Sequence, residues 1–142
     1  MIRLLTICFA MLCAISAHAI DLKSVRSSAD QDSSRVVLEL SGKPKFSHFN
    51  LNNPSRLVLD INNLSTKTLQ SLDSIDNSRI KRVRSSVRGN GSRLVFDLSG
   101  DYRSTVFALR PKGRYPDRLV IDVVGYVAGE KASVRTTSVS EA

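Results

Sequence analysis

An internal repeat, offset by 58 residues, runs through most of this chain. Between residues 22 and 51, 13 of 30 positions are identical at that offset, far more than chance allows. Three stretches recur, the last after four inserted residues: 22–28 as 80–86, 34–42 as 92–100 and 54–61 as 116–123. A duplication of this kind predicts two copies of one structural unit, packed about a pseudo-twofold axis.

Each copy contains four short runs rich in β-branched residues, separated by Gly, Pro, Asn and Asp clusters. The predicted strands are 22–28, 34–40, 45–51, 56–62, 80–86, 93–98, 104–109 and 118–124. This spacing predicts an all-β fold, a β-sandwich of two pseudo-symmetric four-stranded sheets that arose by internal duplication. The pattern leaves open whether each copy forms its own sheet or the copies exchange strands. It also leaves open whether residues 63–79, which join the copies, form a helical turn or a loop.

Alternation within the strands predicts the core, because successive side chains of a strand point to opposite faces. Four strands each contribute three apolar residues to one face, and these twelve are expected to fill the space between the sheets. They are Val36, Leu38, Leu40, Leu57, Leu59, Ile61, Leu94, Phe96, Leu98, Leu119, Ile121 and Val123. Phe49, Leu51, Phe107 and Leu109 are expected to add to this core.

The first 19 residues have the pattern of a cleavable export signal, with Arg3 before an apolar run and a small-x-small site that predicts cleavage between Ala19 and Ile20. The run is too short for a membrane-spanning helix, so no stable span is expected after cleavage. We therefore predict a periplasmic protein of a Gram-negative envelope. Its expected parts are a signal peptide (1–19), a β-sandwich domain (20–126) and a flexible Ser/Thr-rich linker (127–142) to a catalytic domain absent from this chain.

Composition limits the chemistry open to the mature chain. After residue 19 there is no Cys and a single His, so disulfides, a thiol nucleophile and a Cys/His metal site are excluded. That residue, His48, is expected to be a surface or capping residue, and we predict no catalytic residue, metal or cofactor. The mature chain has 20 basic and 13 acidic residues, a net charge of +7 that favours anionic partners. Outside the cytoplasm these are peptidoglycan carboxylates or lipid phosphates rather than nucleic acid.

An Arg-Val-acid pattern recurs on the face of the strands opposite the core. Arg and acid lie four residues apart in one strand, about 13 Å, so each must pair across strands or with a ligand. The pattern has two interpretations, a ligand-binding face and a solvated face with cross-strand ion pairs. As a binding site it comprises Arg35, Arg56, Val58, Asp60, Arg93, Val95, Asp97, Arg118, Val120 and Asp122.

Two further groups of side chains have similar alternatives. Lys81, Arg82 and Arg84 form a second basic cluster, which is either an anion site or an edge strand protected by charge. Tyr102, Tyr115 and Phe46 could stack on sugars or serve in packing and loop anchoring. The separated carboxylates show no sign of a pocket, so a glycosidase is not expected.

These residues resemble the AMIN domain, a non-catalytic module of bacterial cell-wall amidases that also occurs in type IV pilus secretins. The resemblance covers residues 20–126 and depends on the export signal, the Arg-Leu-Val-x-Asp strands, the Phe-x-Leu pair Phe107 and Leu109, and the trailing linker. The copy at 34–39 departs from the motif, because it has Val36 and Glu39, so contact by that strand is less certain.

The resemblance implies a sandwich that binds peptidoglycan and directs a zinc-dependent N-acetylmuramoyl-L-alanine amidase to the division site for septal peptidoglycan cleavage. The repeated outer positions would be the peptidoglycan contacts, with divisome or envelope proteins as further partners. The alternative is a protein-interaction module of a secretin or another envelope assembly. A third reading is binding to lipid phosphates through Lys81, Arg82 and Arg84.

Overall fold

Eight strands form the body of the protein, which a computed structural model describes for residues 18–125 and 137–139. In chain order they are β1 Leu22–Ala29, β2 Ser33–Leu40, β3 Phe46–Leu51, β4 Arg56–Ile61, β5 Ile80–Arg88, β6 Gly91–Leu98, β7 Tyr102–Leu109 and β8 Asp117–Gly125. A 3-10 helix, Thr66–Ser74, joins the two copies, and a short β9 spans Thr137–Val139. All eight predicted strands are confirmed, and the joining segment is helical, with Leu69 and Leu72 buried.

The two copies exchange strands. Sheet 1 has the order β1-β2-β8-β7, and sheet 2 has the order β5-β6-β4-β3 with β9 added at the β3 edge. Each sheet therefore takes two strands from each copy, which answers the question that the sequence left open. All neighbouring strands are antiparallel, and the central pairs β2–β8 and β4–β6 join one copy to the other. The all-β sandwich of two pseudo-symmetric sheets is confirmed.

The core lies between the sheets and contains all twelve residues that alternation predicted. Each of them is buried, and the most exposed, Leu98, retains only 4% of its accessible surface. Their burial is the main stabilising contribution, at roughly 1.5–3 kcal/mol for each large apolar side chain. Ile20, Leu64, Leu69 and Leu72 extend the core beside the 3-10 helix.

The prediction that Phe49, Leu51, Phe107 and Leu109 belong to the core is wrong. Phe49 lies opposite Val58, and Phe107 lies opposite Val120, on the outer faces of their sheets. Leu51, Phe107 and Leu109 are 36–37% exposed. The inner positions of β3 and β7 are held instead by Phe46 and by five smaller or polar residues, His48, Asn50, Ser104, Val106 and Ala108. Pairing register, rather than hydrophobicity, therefore decides which side of these outer strands faces inward.

His48 is buried, contrary to the expectation of a surface or capping residue. Its side chain is 8% exposed, and its ring centroid lies 6.5 Å from that of Phe46 on the same inner face of β3. The Nδ1 atom is buried without a hydrogen-bond partner in the described part of the chain. Burial lowers the pKa of His48 from its usual 6.5, because the charged imidazolium is poorly solvated there.

This burial predicts that the domain loses stability in mild acid. Below pH 6.5 the unfolded chain binds a proton at His48 that the folded chain does not yet accept, so the free energy of unfolding falls as pH decreases. The slope is at most about 1.4 kcal/mol per pH unit for one proton. Urea denaturation at pH 7.5 and 5.5 should show a drop that His48→Leu removes. An equal drop in both proteins would contradict this assignment.

Several predictions concern residues outside the described part of the chain. Residues 1–17 lie outside it, so the export signal stays a prediction. At the predicted cleavage site Ala19 is exposed, while the buried Ile20 donates its backbone N–H to the Asn63 carbonyl at 2.8 Å. Residue 126, the last of the predicted domain, and residues 127–136 and 140–142 of the predicted linker are also outside, whereas β9 pairs with β3 through Phe46, Ser47 and His48. Within residues 18–125 and 137–139, no helix has the length and apolar character needed to cross a bilayer.

Candidate functional site

Both sheets turn the same three rows of side chains outward, related by the 58-residue repeat. We name these the ion-pair row, the apolar row and the arginine row. On sheet 1 they are Arg35 with Asp122, then Val37, Val120 and Phe107, then Glu39, Arg118 and Leu109. On sheet 2 they are Arg93 with Asp60, then Val95, Val58 and Phe49, then Asp97, Arg56 and Leu51. The strand exchange brings these residues together, because each row includes strands from both copies.

The ion-pair row contains the strongest polar contacts of each face. Arg35 donates from Nε and Nη2 to the Asp122 carboxylate at 2.7 and 2.9 Å. Arg93 makes the same two-pronged contact with Asp60, also at 2.7 and 2.9 Å. Hydrogen bonding to these carboxylates raises the pKa of both arginines. These four predicted site residues therefore satisfy one another, and their outward surface is what remains for a ligand.

The apolar row of each face presents a phenylalanine together with one half-buried valine, Val37 on sheet 1 and Val95 on sheet 2. Val58 and Val120 are only 3% and 1% exposed, so they form the floor of each face and cannot touch a large ligand. The Arg93 guanidinium carbon lies 5.6 Å from the centroid of the Phe49 ring, and that of Arg35 lies 5.8 Å from the Phe107 ring. Sequence analysis missed both aromatic rings as surface groups. Their equivalent positions in the two copies, 58 residues apart, could have marked them as a repeated feature of the outer faces.

In the arginine row, both acidic residues are held by side chains of the edge strand. Glu39 accepts hydrogen bonds from Arg26 and Ser24, each at 2.8 Å. Asp97 accepts from Arg82 at 2.7 Å and from Arg84 at 2.9 Å. The predicted cluster of Lys81, Arg82 and Arg84 therefore lies on edge strand β5, where Arg82 and Arg84 share the single carboxylate of Asp97.

Arg56 and Arg118 form no ion pair within the described part of the chain. Arg56 donates from Nε to the Pro54 carbonyl at 3.1 Å. Arg118 donates from Nη2 to the Arg110 carbonyl at 3.3 Å, and its Nε atom is buried without a partner in the described residues. Both lie in register with an acid, Asp97 and Glu39 respectively, that the edge strand has already engaged. Among the four repeated arginines of the outer faces, these two guanidinium groups therefore remain available to an external anion.

The predicted stacking aromatics have three different environments. Tyr115 is 39% exposed, beside the arginine row of sheet 1. Tyr102 is half-buried and has the Arg79 guanidinium 5.8 Å from its ring centroid, so it anchors a loop. Phe46 is 5% exposed and faces the core, which excludes stacking on a sugar.

An open groove of about 460 Å³ lies beside the ion-pair row of sheet 1. It is lined by Ser28, Ala29, Asp30, Ser33, Arg35, Asp122 and Val124. Residues 18–125 and 137–139 contain no group of three His, Cys, Asp or Glu side chains that could hold a metal ion. The arrangement of both faces can bind anions and hydroxyl groups, and it offers the flat surface of an aromatic ring beside them.

The contacts of Asp97 predict an acid-sensitive contribution to stability. Its pKa is lowered, first by the hydrogen bond from Arg84 and then by Arg82, against the opposing effect of burial. A lowered pKa stabilises the fold above the unfolded value of 3.8, and this contribution is lost as pH falls through the folded value. Asp97→Asn should therefore lower the melting temperature at pH 7 and flatten its decrease below pH 4. The exposed Asp73→Asn is the control, and identical acid profiles for the two variants would contradict the assignment.

Comparison with known proteins identifies the family of the chain. Residues 24–123 match the family model described as the AMIN domain. The chain is 37% identical over 94 residues to the N-acetylmuramoyl-L-alanine amidase AmiC of Neisseria meningitidis serogroup B, and 31% identical over 94 residues to AmiC of Escherichia coli O6:H1. Each alignment covers 63% of this chain but only 23% and 22% of the respective relative. Because the family model spans most of its length, this chain belongs to the AMIN domain family.

Proposed function

We propose that this chain is exported to the periplasm and binds peptidoglycan through its outer faces, as the non-catalytic part of an N-acetylmuramoyl-L-alanine amidase. The observation that carries the proposal is the state of Arg56 and Arg118. Each lies on an outer face without an acidic partner in the described residues, opposite an exposed leucine, Leu51 for Arg56 and Leu109 for Arg118. Both relatives are named as amidases, which favours this function over a secretin module.

The chemistry of the two faces suits a polymer of sugars and short peptides. A guanidinium group binds a carboxylate through two parallel hydrogen bonds, and peptidoglycan stem peptides carry carboxylates. The Phe107 ring offers an apolar plane on which the flat face of a sugar ring can rest. Carboxylate oxygens of Asp60 and Asp122 retain lone pairs that can accept hydrogen bonds from sugar hydroxyls. We infer that one stretch of polymer crosses the three rows of a sheet.

In this proposal the domain positions an attached enzyme and catalyses no reaction itself. It would bring an attached amidase to the wall, and at the division site it would concentrate the enzyme on septal peptidoglycan. The described residues do not fit a zinc ion, because they offer no suitable group of three ligands. Zinc-dependent hydrolysis would therefore be performed by residues other than these.

Co-sedimentation with purified sacculi tests the proposal. The fragment from Ile20 to Ala142, which retains every described strand, should pellet with sacculi at low salt and remain in the supernatant without them. Raising the salt concentration should weaken the pelleting, since exposed charges are screened. A folded fragment that stays in solution with sacculi at low salt would overturn the proposed function. Retrieval of only secretin proteins by cross-linking in cells would favour the alternative.

A further inference from the structure

The two outer faces differ at one corner, where the second copy contains four extra residues. Two residues, 52–53, separate Leu51 from Pro54 in the first copy, whereas six, 110–115, separate Leu109 from Pro116 in the second. The six are Arg110, Pro111, Lys112, Gly113, Arg114 and Tyr115, so the insertion adds three cations and no acid. An otherwise symmetric domain is therefore strongly basic at one corner of sheet 1.

The insertion is an ordered hairpin that folds an aromatic ring over the arginine row. Lys112 and Tyr115 exchange backbone hydrogen bonds of 3.0 and 2.9 Å. Gly113 takes a φ of +58° in the turn between them, a conformation that favours glycine. The hairpin thus fixes Tyr115 next to the first residues of β8.

Three guanidinium groups surround the Tyr115 ring. The guanidinium carbons of Arg118, Arg26 and Arg114 lie 5.0, 5.7 and 5.8 Å from its centroid. One of these cations is already neutralised, because Arg26 is paired with Glu39 at 2.8 Å. Arg114 and Arg118 form no ion pair in the described part of the chain. Mutual repulsion of these cations is relieved when an anion binds between them.

Arg118 is the group that most needs an acceptor. It is half-buried, its Nε–H has no partner in the described residues, and its remaining contact with the Arg110 carbonyl is long, at 3.3 Å. A buried charged donor without an acceptor is costly, so an oxyanion placed there gains more than one bound to a solvated arginine. The equivalent residue on sheet 2, Arg56, has a shorter contact with a carbonyl and no tyrosine beside it.

We propose that Arg114, Tyr115 and Arg118, supported by Arg26, form a binding site for a single oxyanion group, a carboxylate or a phosphate. The inference rests on the proposed function, since it assigns anion recognition to one corner of a wall-binding face. The oxyanion accepts hydrogen bonds from Arg118 and Arg114, and the rest of the ligand lies against the exposed side of Tyr115. Sheet 1 then has an oxyanion site that sheet 2 lacks, because the hairpin is present only in the second copy.

Titration monitored by NMR tests this site. The side-chain Nε–H signal of Arg118 in the fragment from Ile20 to Ala142 should shift when muramyl dipeptide, which carries a free carboxylate, is added. The same compound with that carboxylate amidated should leave the signal unmoved. Arg118→Ala and Tyr115→Ala should each weaken binding by about tenfold or more, which corresponds to about 1.4 kcal/mol. Lys67→Ala, which removes one exposed charge on the 3-10 helix, is the matched control.

Further arms of the experiment separate the two sources of the anion. Vesicles of anionic phosphatidylglycerol, compared with zwitterionic phosphatidylcholine, report on a lipid phosphate that no headgroup cation neutralises. Their selective binding through Arg118 would retain the oxyanion site with a lipid as its ligand. A second variant replaces residues 110–115 by the Asn-Asn pair of the first copy and should lose binding of either anion. If muramyl dipeptide and phosphatidylglycerol vesicles both leave the Arg118 signal unmoved while sacculi still bind, the site is wrong and the proposed function stands. If muramyl dipeptide shifts the Arg118 signal but the fragment does not pellet with sacculi, the oxyanion site stands and the proposed function is wrong.

Discussion

Simultaneous replacement of Arg56 and Arg118 by alanine should reduce binding to sacculi by at least about 100-fold. Each guanidinium group is expected to make charged hydrogen bonds to the ligand worth about 1.5–3 kcal/mol. In this prediction one sacculus engages both outer faces at the same time, so the two losses add. A loss of 1.4 kcal/mol corresponds to a factor of about ten in affinity, and two such losses account for the expected effect. Quantitative co-sedimentation at a fixed low salt concentration measures the change.

The same replacement should leave the fold intact. Neither arginine takes part in an ion pair in the described residues, and their hydrogen bonds to the Pro54 and Arg110 carbonyls lie at the surface. The melting temperature should therefore change little. The double variant Lys43→Ala with Lys67→Ala removes the same charge from exposed positions outside both faces and should retain binding. Loss of the cooperative melt in the arginine variant would give these residues a structural role, and equal loss of binding in the lysine variant would reduce recognition to net charge.

Gly91→Ala should strongly destabilise the domain. Gly91 begins β6, where an added Cβ atom would lie 2.2 Å from the Ile61 carbonyl oxygen and 2.9 Å from the Asn62 Cα atom. Both neighbours belong to the backbone at the end of β4, so relief requires the central strands of sheet 2 to separate. Overpacking of this kind costs about 1–3 kcal/mol and occasionally more. We expect about 3 kcal/mol or more here, and each kcal/mol lowers the melting temperature by about 4–8 °C.

Gly125→Ala is the matched control for this prediction. Gly125 ends β8, and no heavy atom lies within 4 Å of the position of its added Cβ. The expected change in unfolding free energy is within about 0.5 kcal/mol, as for most surface substitutions. Thermal melts followed by circular dichroism compare the two variants. Equal melting temperatures for Gly91→Ala and the unmodified domain would show that β4 and β6 can separate at this end without cost.

The core residues of the central strands were predictable from the sequence, because side chains along each of these strands alternate between the core and the outer face. Alternation in the four central strands, β2, β4, β6 and β8, has a single solution, and all twelve residues that it selected are buried. The outer strands β3 and β7 carry apolar residues on both faces, so alternation alone could not orient them. Phe49 and Phe107 were assigned to the core for that reason. Their register against Val58 and Val120, which only the paired strands reveal, turns them outward.

The candidate site was predictable by residue type but not by partner. The repeat identified the four arginines of the outer faces, and cross-strand pairing was one of two interpretations. The structure divides these arginines into two kinds, since Arg35 and Arg93 hold carboxylates whereas Arg56 and Arg118 do not. That difference depends on Arg26, Arg82 and Arg84 reaching across from the edge strands to Glu39 and Asp97. The spacing of residues within a single strand therefore could not predict which arginines are paired with a carboxylate.

The exchange of strands bears on the origin of the domain. A polypeptide with only one copy would supply half of each sheet and would leave its apolar strands open to water. It could complete both sheets only by associating with a second such polypeptide, as a domain-swapped homodimer does. In one polypeptide the two copies are tethered, so their association does not depend on protein concentration. The covalent link also allows the copies to differ, and in this chain only the second contains the basic hairpin.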